Sequence, residues 1–209
     1  MSSRAKALWV LKRWWASARL LVRDQRGVAA VEFAFIAPLL LSLYFVTIEV
    51  SQAIETSRKV GRVGSMVADV ITQQQATTVS EVDAVMKIGE ALLQPYNRSK
   101  GTIMVTAIDI TDEPSVVWSR RLRFDENTGN PISEQYDYKG SPAKVPDTLN
   151  IKGSFLIRVE SELAYEPMIT WAAESKPVLG LAAALDPITM RETYYLRPRM
   201  SQTIPCPDC

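Results

Sequence analysis

Histidine is absent from the 209 residues. Its absence removes imidazole acid–base chemistry, Ser-His-Asp triads and His-ligated metals together. Cysteine is nearly as scarce. Cys206 and Cys209 are the only thiols, and no second Cys or His pair exists to complete a zinc tetrahedron. A phosphate-cradling glycine loop, a nucleophile elbow and a metal-binding motif are missing as well. Carboxylates are scattered, so no catalytic pair stands out, and the chain is expected to be neither an enzyme nor the carrier of a cofactor or metal. Neither sign of charge predominates: 24 basic side chains meet 23 acidic ones, net +1. Bulk charge therefore gives no pull toward nucleic acid. One local cluster, Arg120, Arg121 and Arg123, reads as a solvated strand face.

What the chain does have is a long apolar run near its start. Gly27 follows a basic leader and opens Val28-Ala29-Ala30-Val31-Glu32-Phe33, which runs directly into the apolar residues 34–50. Roughly 20 apolar residues rising ~1.5 Å each cross a bilayer, so residues 28–50 are expected to form a transmembrane helix. Glu32 is the exception inside it. A carboxylate costs roughly 2.5–3.5 kcal/mol at the centre of such a helix and less near an end, so Glu32 calls for a compensating partner. Pro38 lacks an N–H, frees the carbonyl of Ala34 and is expected to kink or loosen the helix.

The leader, residues 1–27, carries Arg4, Lys6, Lys12, Arg13, Arg19, Arg23 and Arg26 against the single acid Asp24. The stretch beyond the apolar run has fewer bases, Arg58, Lys59 and Arg62. This asymmetry places the N-terminus in the cytoplasm and residues 51–209 outside it. Trp9, Trp14 and Trp15, interleaved with Lys12 and Arg13, suit a membrane interface.

Glycine, acid, aromatic and proline set around one apolar helix resemble the class III signal of type IV pilin-like proteins. In particular, Gly27 with 28–33 and Ala34-Phe35-Ile36-Ala37-Pro38-Leu39-Leu40-Leu41 is similar to the TadE/TadF-type minor pseudopilins of tight-adherence (Tad, Flp-type) pili. The match covers about a fifth of the chain. It implies cleavage between Gly27 and Val28 by a prepilin peptidase of the inner membrane. It also implies that Glu32, beside Phe33, pairs with the new N-terminal amine of a subunit and guides insertion. An unpaired charge buried among apolar helices is costly, and helix N-termini favour carboxylates. Further implied partners are the inner-membrane Tad assembly platform, an assembly ATPase acting indirectly, other pseudopilins, the Flp pilin and the lipid bilayer, with no nucleic acid. An ordinary secretory signal would need a short apolar core and a cleavage site after it. Here the core runs on to Thr47 and beyond, and the junction precedes it. A permanent uncleaved anchor remains open.

Beyond the membrane, Ala53, Val60, Val63, Val67, Val70 and Ile71 recur at helical spacing and predict that the helix continues as an amphipathic spine. Gly61 and Gly64 weaken that helix by up to ~1 kcal/mol each relative to Ala; they fit either close packing or a bend. Residues 73–78 read as a polar break. Ser80, with Asp83 three residues on, reads as the cap of a second helix, whose stripe is Val82, Val85, Met86, Gly89, Leu92 and Leu93, ended by Pro95.

Four strands are expected at 101–110, 115–124, 154–165 and 188–196. A hairpin turn at Asp112-Glu113-Pro114 joins the first two. Val116, Trp118, Arg120, Leu122 and Phe124 are expected on one face of the second strand. In the third, Phe155, Ile157, Val159, Ser161, Leu163 and Tyr165 oppose Arg158, Glu160 and Glu162. An antiparallel sheet packed on the spine is the economical assembly: an α+β, pilin-like fold. Residues 125–150, rich in Asn, Pro, Gly and Asp, read as an exposed functional or mobile loop. The insert 166–187 reads either as a small satellite core or as a subunit-contact element.

Cys206-Pro207-Asp208-Cys209 has redox-dithiol spacing, but without the strand–helix setting of a thioredoxin-like site. Outside the cytoplasm an intrachain disulfide is the simplest state. The chain is thus expected to be a minor pseudopilin of three parts: leader 1–27, transmembrane helix 28–50 and periplasmic domain 51–209. The alternative is a permanently anchored periplasmic binding or sensor module, and a tethered thiol oxidoreductase comes third.

Overall fold

The computed structural model describes residues 27–94, 96, 99–125, 127–167 and 188–209. The basic leader, Pro95 and most of the insert 166–187 lie outside the described residues. The chain divides into two compact units, Met1–Ile48 and Glu49–Cys209.

Helix α1 (Val28–Thr72) is a single 45-residue helix that runs through Pro38 without interruption. Its first part, up to Ile48, is apolar and uncovered. Phe33 is 71% exposed and Phe35 77%, and among the described residues the most apolar 18-residue window has none of its residues buried. From Thr56 onward the same helix becomes one-sided: Val60, Val63, Val67, Ala68 and Ile71 are buried. Val70 departs from the expected stripe, at 37% exposure, because a neighbour of Ile71 at ~100° round the helix turns away from the core.

Helix α2 (Val79–Ala91) begins at Thr78, not Ser80. The Thr78 side chain accepts from the Glu81 N–H, and the Glu81 carboxylate accepts from the Thr78 N–H. This reciprocal capping box satisfies two donors at the helix start. Asp83, expected in the cap, instead faces the sheet. Val82, Met86 and Gly89 are buried as anticipated. Gly89 allows the close crossing on the spine: a Cβ there would lie 2.8 Å from Val67.

Strands β1 (Thr102–Ile110), β2 (Pro114–Phe124), β3 (Pro131–Glu134), β4 (Ser154–Tyr165) and β5 (Ile188–Leu196) form one antiparallel sheet in the order β3-β2-β1-β4-β5. Its helix-facing side supplies Ile103, Val105, Ala107, Trp118, Leu122, Ile157, Val159 and Leu163 to the main core. Fully burying such a side chain contributes about 1.5–3 kcal/mol. Met190, Tyr194 and Leu196 of β5 pack partly against the same core.

Two expectations change here. The β1–β2 register slips between Ala107 and Ile108, so Val117 is an extra residue. This bulge reverses the alternation: Trp118 pairs with Ala107 toward the helices, while Val116 pairs with Ile108 toward the other face. Residues 125–150 are not simply an exposed loop. They contain β3, which pairs with β2, and a 3-10 turn at Asp147–Leu149. Ala143, Val145 and Leu149 then pack over Ile108, Ile110 and Leu156 on the sheet's second face. Arg158 pins this cover by bonding the Lys144 carbonyl at 3.4 Å and the Asp137 carboxylate at 3.3 Å. The domain is therefore layered as helices, sheet and covering loop.

Candidate functional site

The residues singled out for processing and assembly lie at the start of α1. Gly27 precedes its first residue, Val28, and Glu32 and Phe33 follow one turn on. All four are exposed. A Cβ added to Gly27 would meet nothing within 4 Å, so packing among the described residues imposes no need for glycine there. Glu32 has no ion pair or hydrogen bond among the described residues, and its neighbours Val31, Phe33, Phe35 and Ile36 are bare apolar side chains. A carboxylate on such a surface is stable only if it reaches polar headgroups or meets a cation from outside the described residues. Further along, Ser42 and Thr47 return their hydroxyl hydrogens to the Leu39 and Leu43 carbonyls at 2.8 Å each. These bonds satisfy both hydroxyls within the helix, as a span in lipid requires.

A second acid, Glu49, was hidden at the end of the apolar run. It accepts the hydroxyl hydrogen of the buried Tyr165 at the end of β4. Tyr165 stacks on Tyr96 with ring centres 5.4 Å apart, and the Tyr96 hydroxyl accepts the Glu166 N–H at 2.7 Å. This cluster fixes the first turn of the domain's part of the spine to the sheet. The only signal for it in the sequence is an acid where an apolar run gives way to a polar one.

The arginines of β2 are paired rather than freely solvated, which corrects the expectation of a solvated face. Arg120, mostly buried, meets the Asp83 carboxylate at 3.1 Å and the Ser133 hydroxyl at 2.9 Å. Arg121 and Arg123 both bond Glu134 on β3. Hydrogen bonds from Arg123 and then Arg121 pull the Glu134 carboxyl down to about 2. At the β2–β3 turn, the Thr128 N–H, the Thr128 hydroxyl and the Asn127 N–H hold the Asp125 carboxyl below its usual range. Gly129 closes that turn at φ +68°, a conformation that favours glycine. An open cleft lined by Ser99, Lys100, Thr102, Arg123 and Asp125 lies beside it. It carries both signs of charge.

Cys206 and Cys209 are joined in a disulfide. With Asp208 they bring three possible metal-ligand atoms within 4.8 Å of one another. Disulfide sulfurs lack the thiolate charge that a metal requires, so the oxidised cluster is not a metal centre.

The candidate site is thus a helix surface whose requirements lie outside the fold, together with a domain that holds the helix. No curated protein and no solved structure matches the chain. The model of the family described as TadE-like protein matches residues 27–69, from the glycine junction to the packed part of the spine. Over that segment, about a fifth of the 209 residues, the chain is similar to TadE-like proteins.

Proposed function

We propose that this protein is a minor pseudopilin of a Tad/Flp-type pilus, cut after Gly27 by a prepilin peptidase. One observation carries the reading: among the described residues, a glycine that packing does not demand stands five residues before an acid with no partner, at the head of an uncovered apolar helix. Cleavage would give Val28 a free amine at a helix start. Glu32 then pairs with the amine of a neighbouring subunit, and the two charges neutralise each other as the helices pack. Phe33, Phe35 and Leu39, now bare, become contacts with lipid or with adjoining helices.

In this reading the basic leader stays in the cytoplasm, α1 anchors the chain in the inner membrane, and residues 51–209 are periplasmic. The partners are the prepilin peptidase, the Tad assembly platform, other pseudopilins, the Flp pilin and the bilayer. The work is docking and helix packing, without catalysis or cofactor. The resemblance implies a minor component, because major Flp pilins are much shorter than this 209-residue chain.

The test is Gly27→Leu expressed in cells that assemble the pilus. Because a side chain at Gly27 would meet none of the described residues, the variant should fold and insert normally yet keep its leader. A variant still processed to the wild-type mature mass would sink the cleavage assignment. A wild-type protein that retains its leader in such cells would instead favour a permanently anchored binding or sensor module.

A further inference from the structure

Residues 199–209 are woven into the domain rather than trailing from it. The Arg199 N–H donates to the Thr72 carbonyl at 2.9 Å, at the last residue of α1. Its guanidinium meets Asp69 at 2.6 Å. Ile204 is fully buried, and its carbonyl accepts the Trp118 indole N–H at 2.8 Å. The Pro205 carbonyl accepts the Thr77 N–H at 3.0 Å. Finally, the Val79 N–H, the first of α2, donates to the two oxygens of Asp208 at 3.1 and 3.2 Å.

Thr78 and Glu81 already cap this helix. Asp208 therefore satisfies a donor that the capping box leaves open, and adds negative charge at the positive end of the helix dipole. It lies inside the Cys206–Cys209 ring, whose Cys209 N–H points back at the Cys206 carbonyl at 3.4 Å. Both cysteines are half-buried against the main core, while Pro207 and Asp208 are exposed on the outer side. The ring is thus anchored on one side and reachable from solvent on the other.

We propose that Cys206–Cys209 is a thiol–disulfide exchange site whose oxidation closes residues 204–209 as a clasp on α2 and the spine end. Closure needs a disulfide-bearing oxidant, such as an extracytoplasmic thiol oxidase. One chain thiolate attacks a sulfur of that disulfide, a mixed disulfide forms, and one oxidant thiolate leaves. The second chain thiolate then attacks the chain's own sulfur in the mixed disulfide and expels the other oxidant thiolate. Two electrons pass to the oxidant, and the two thiol protons end on its reduced dithiol. A dithiol reverses the sequence and opens the clasp. A ring this short restrains the unfolded chain little, so its action is local: it holds Asp208 where Val79 needs it. The clasp operates whether or not the leader is removed at Gly27.

The full-length protein in detergent micelles, poised with oxidised or reduced dithiothreitol, supplies the test. Intact mass reports the redox state, and amide hydrogen exchange reports the contacts. Reduction should add two hydrogens and speed exchange at Thr77 and Val79 by roughly tenfold or more, as local opening does. Val105 and Val159, at the sheet's centre, should not change. Asp208→Asn should speed Val79 while the disulfide stays closed, and a Cys206→Ser, Cys209→Ser double variant should exchange as the reduced protein does in either buffer. Equal exchange at Thr77 and Val79 in both states would overturn the clasp. So would acceleration across the whole sheet, or thiols that stay reduced in the oxidised buffer.

Discussion

Ser161 donates its hydroxyl to the backbone carbonyl of Val60 at 2.9 Å, tying β4 to the spine through the buried layer. Gly64, one turn along the same helix, keeps the space open. A Cβ there would stand 2.8 Å from the Ser161 oxygen and 2.9 Å from the Tyr194 ring. Gly61 plays the same part at the Tyr194 hydroxyl, where a Cβ would lie 3.1 Å away. Close packing, rather than a bend, accounts for these two glycines.

Gly64→Val should therefore destabilise the domain by about 1–3 kcal/mol, the range for overpacking a tight contact. The midpoint of chemical denaturation in detergent measures it. Gly27→Leu, at a site with no neighbours among the described residues, should leave the same midpoint unchanged.

The buried indole of Trp118 gives a second prediction. Its N–H serves the Ile204 carbonyl, so Trp118→Phe removes the donor and strands an acceptor. The expected loss is about 1–3 kcal/mol. An unchanged denaturation midpoint would mean that water or another donor replaces the indole.

Glu134 makes stability depend on acid. Its folded pKa, about 2, lies below the ordinary 4.5 because of Arg123 and Arg121. Its contribution is fully present above pH ~4.5 and is lost as pH falls toward ~2. Thermal melts of the wild type and Glu134→Gln should differ most near neutrality and converge in acid. A gap that is constant with pH would show that the ion pairs add nothing to stability.

Much of this fold was legible as periodicity. The alternation in 154–165, with Phe155 and Ile157 opposing Arg158, marks β4 at its observed ends, and the spacing of Val60, Val63 and Val67 marks the spine. What escaped was set by tertiary contacts. β3 is only four residues in a turn-rich stretch and exists because β2 pairs with it. The bulge at Val117 leaves no compositional trace, yet it flips Val116. Ala143, Val145 and Leu149 are too isolated to show a period, although together they cover the sheet. Thr78 and Ser80 are both good caps, and the reach of Glu81 decided between them. At the candidate site, Gly27, Glu32 and Pro38 were readable because they interrupt an apolar run. Glu49 was not, because its role comes from Tyr165, which lies 116 residues away in sequence.

Glu32 separates processing from assembly. Glu32→Gln keeps the shape but removes the charge, so the peptidase should still cut after Gly27. Without a carboxylate to meet a neighbour's amine, incorporation into the assembly should fall severalfold, as read by crosslinking to other pilus components. Normal assembly of the processed variant would count against the pairing role.

The most direct measurement is the N-terminal sequence and intact mass of the protein recovered from its native membranes. Processing as a pseudopilin predicts a chain that begins at Val28. A chain still carrying residues 1–27 in cells with an active prepilin peptidase would contradict it.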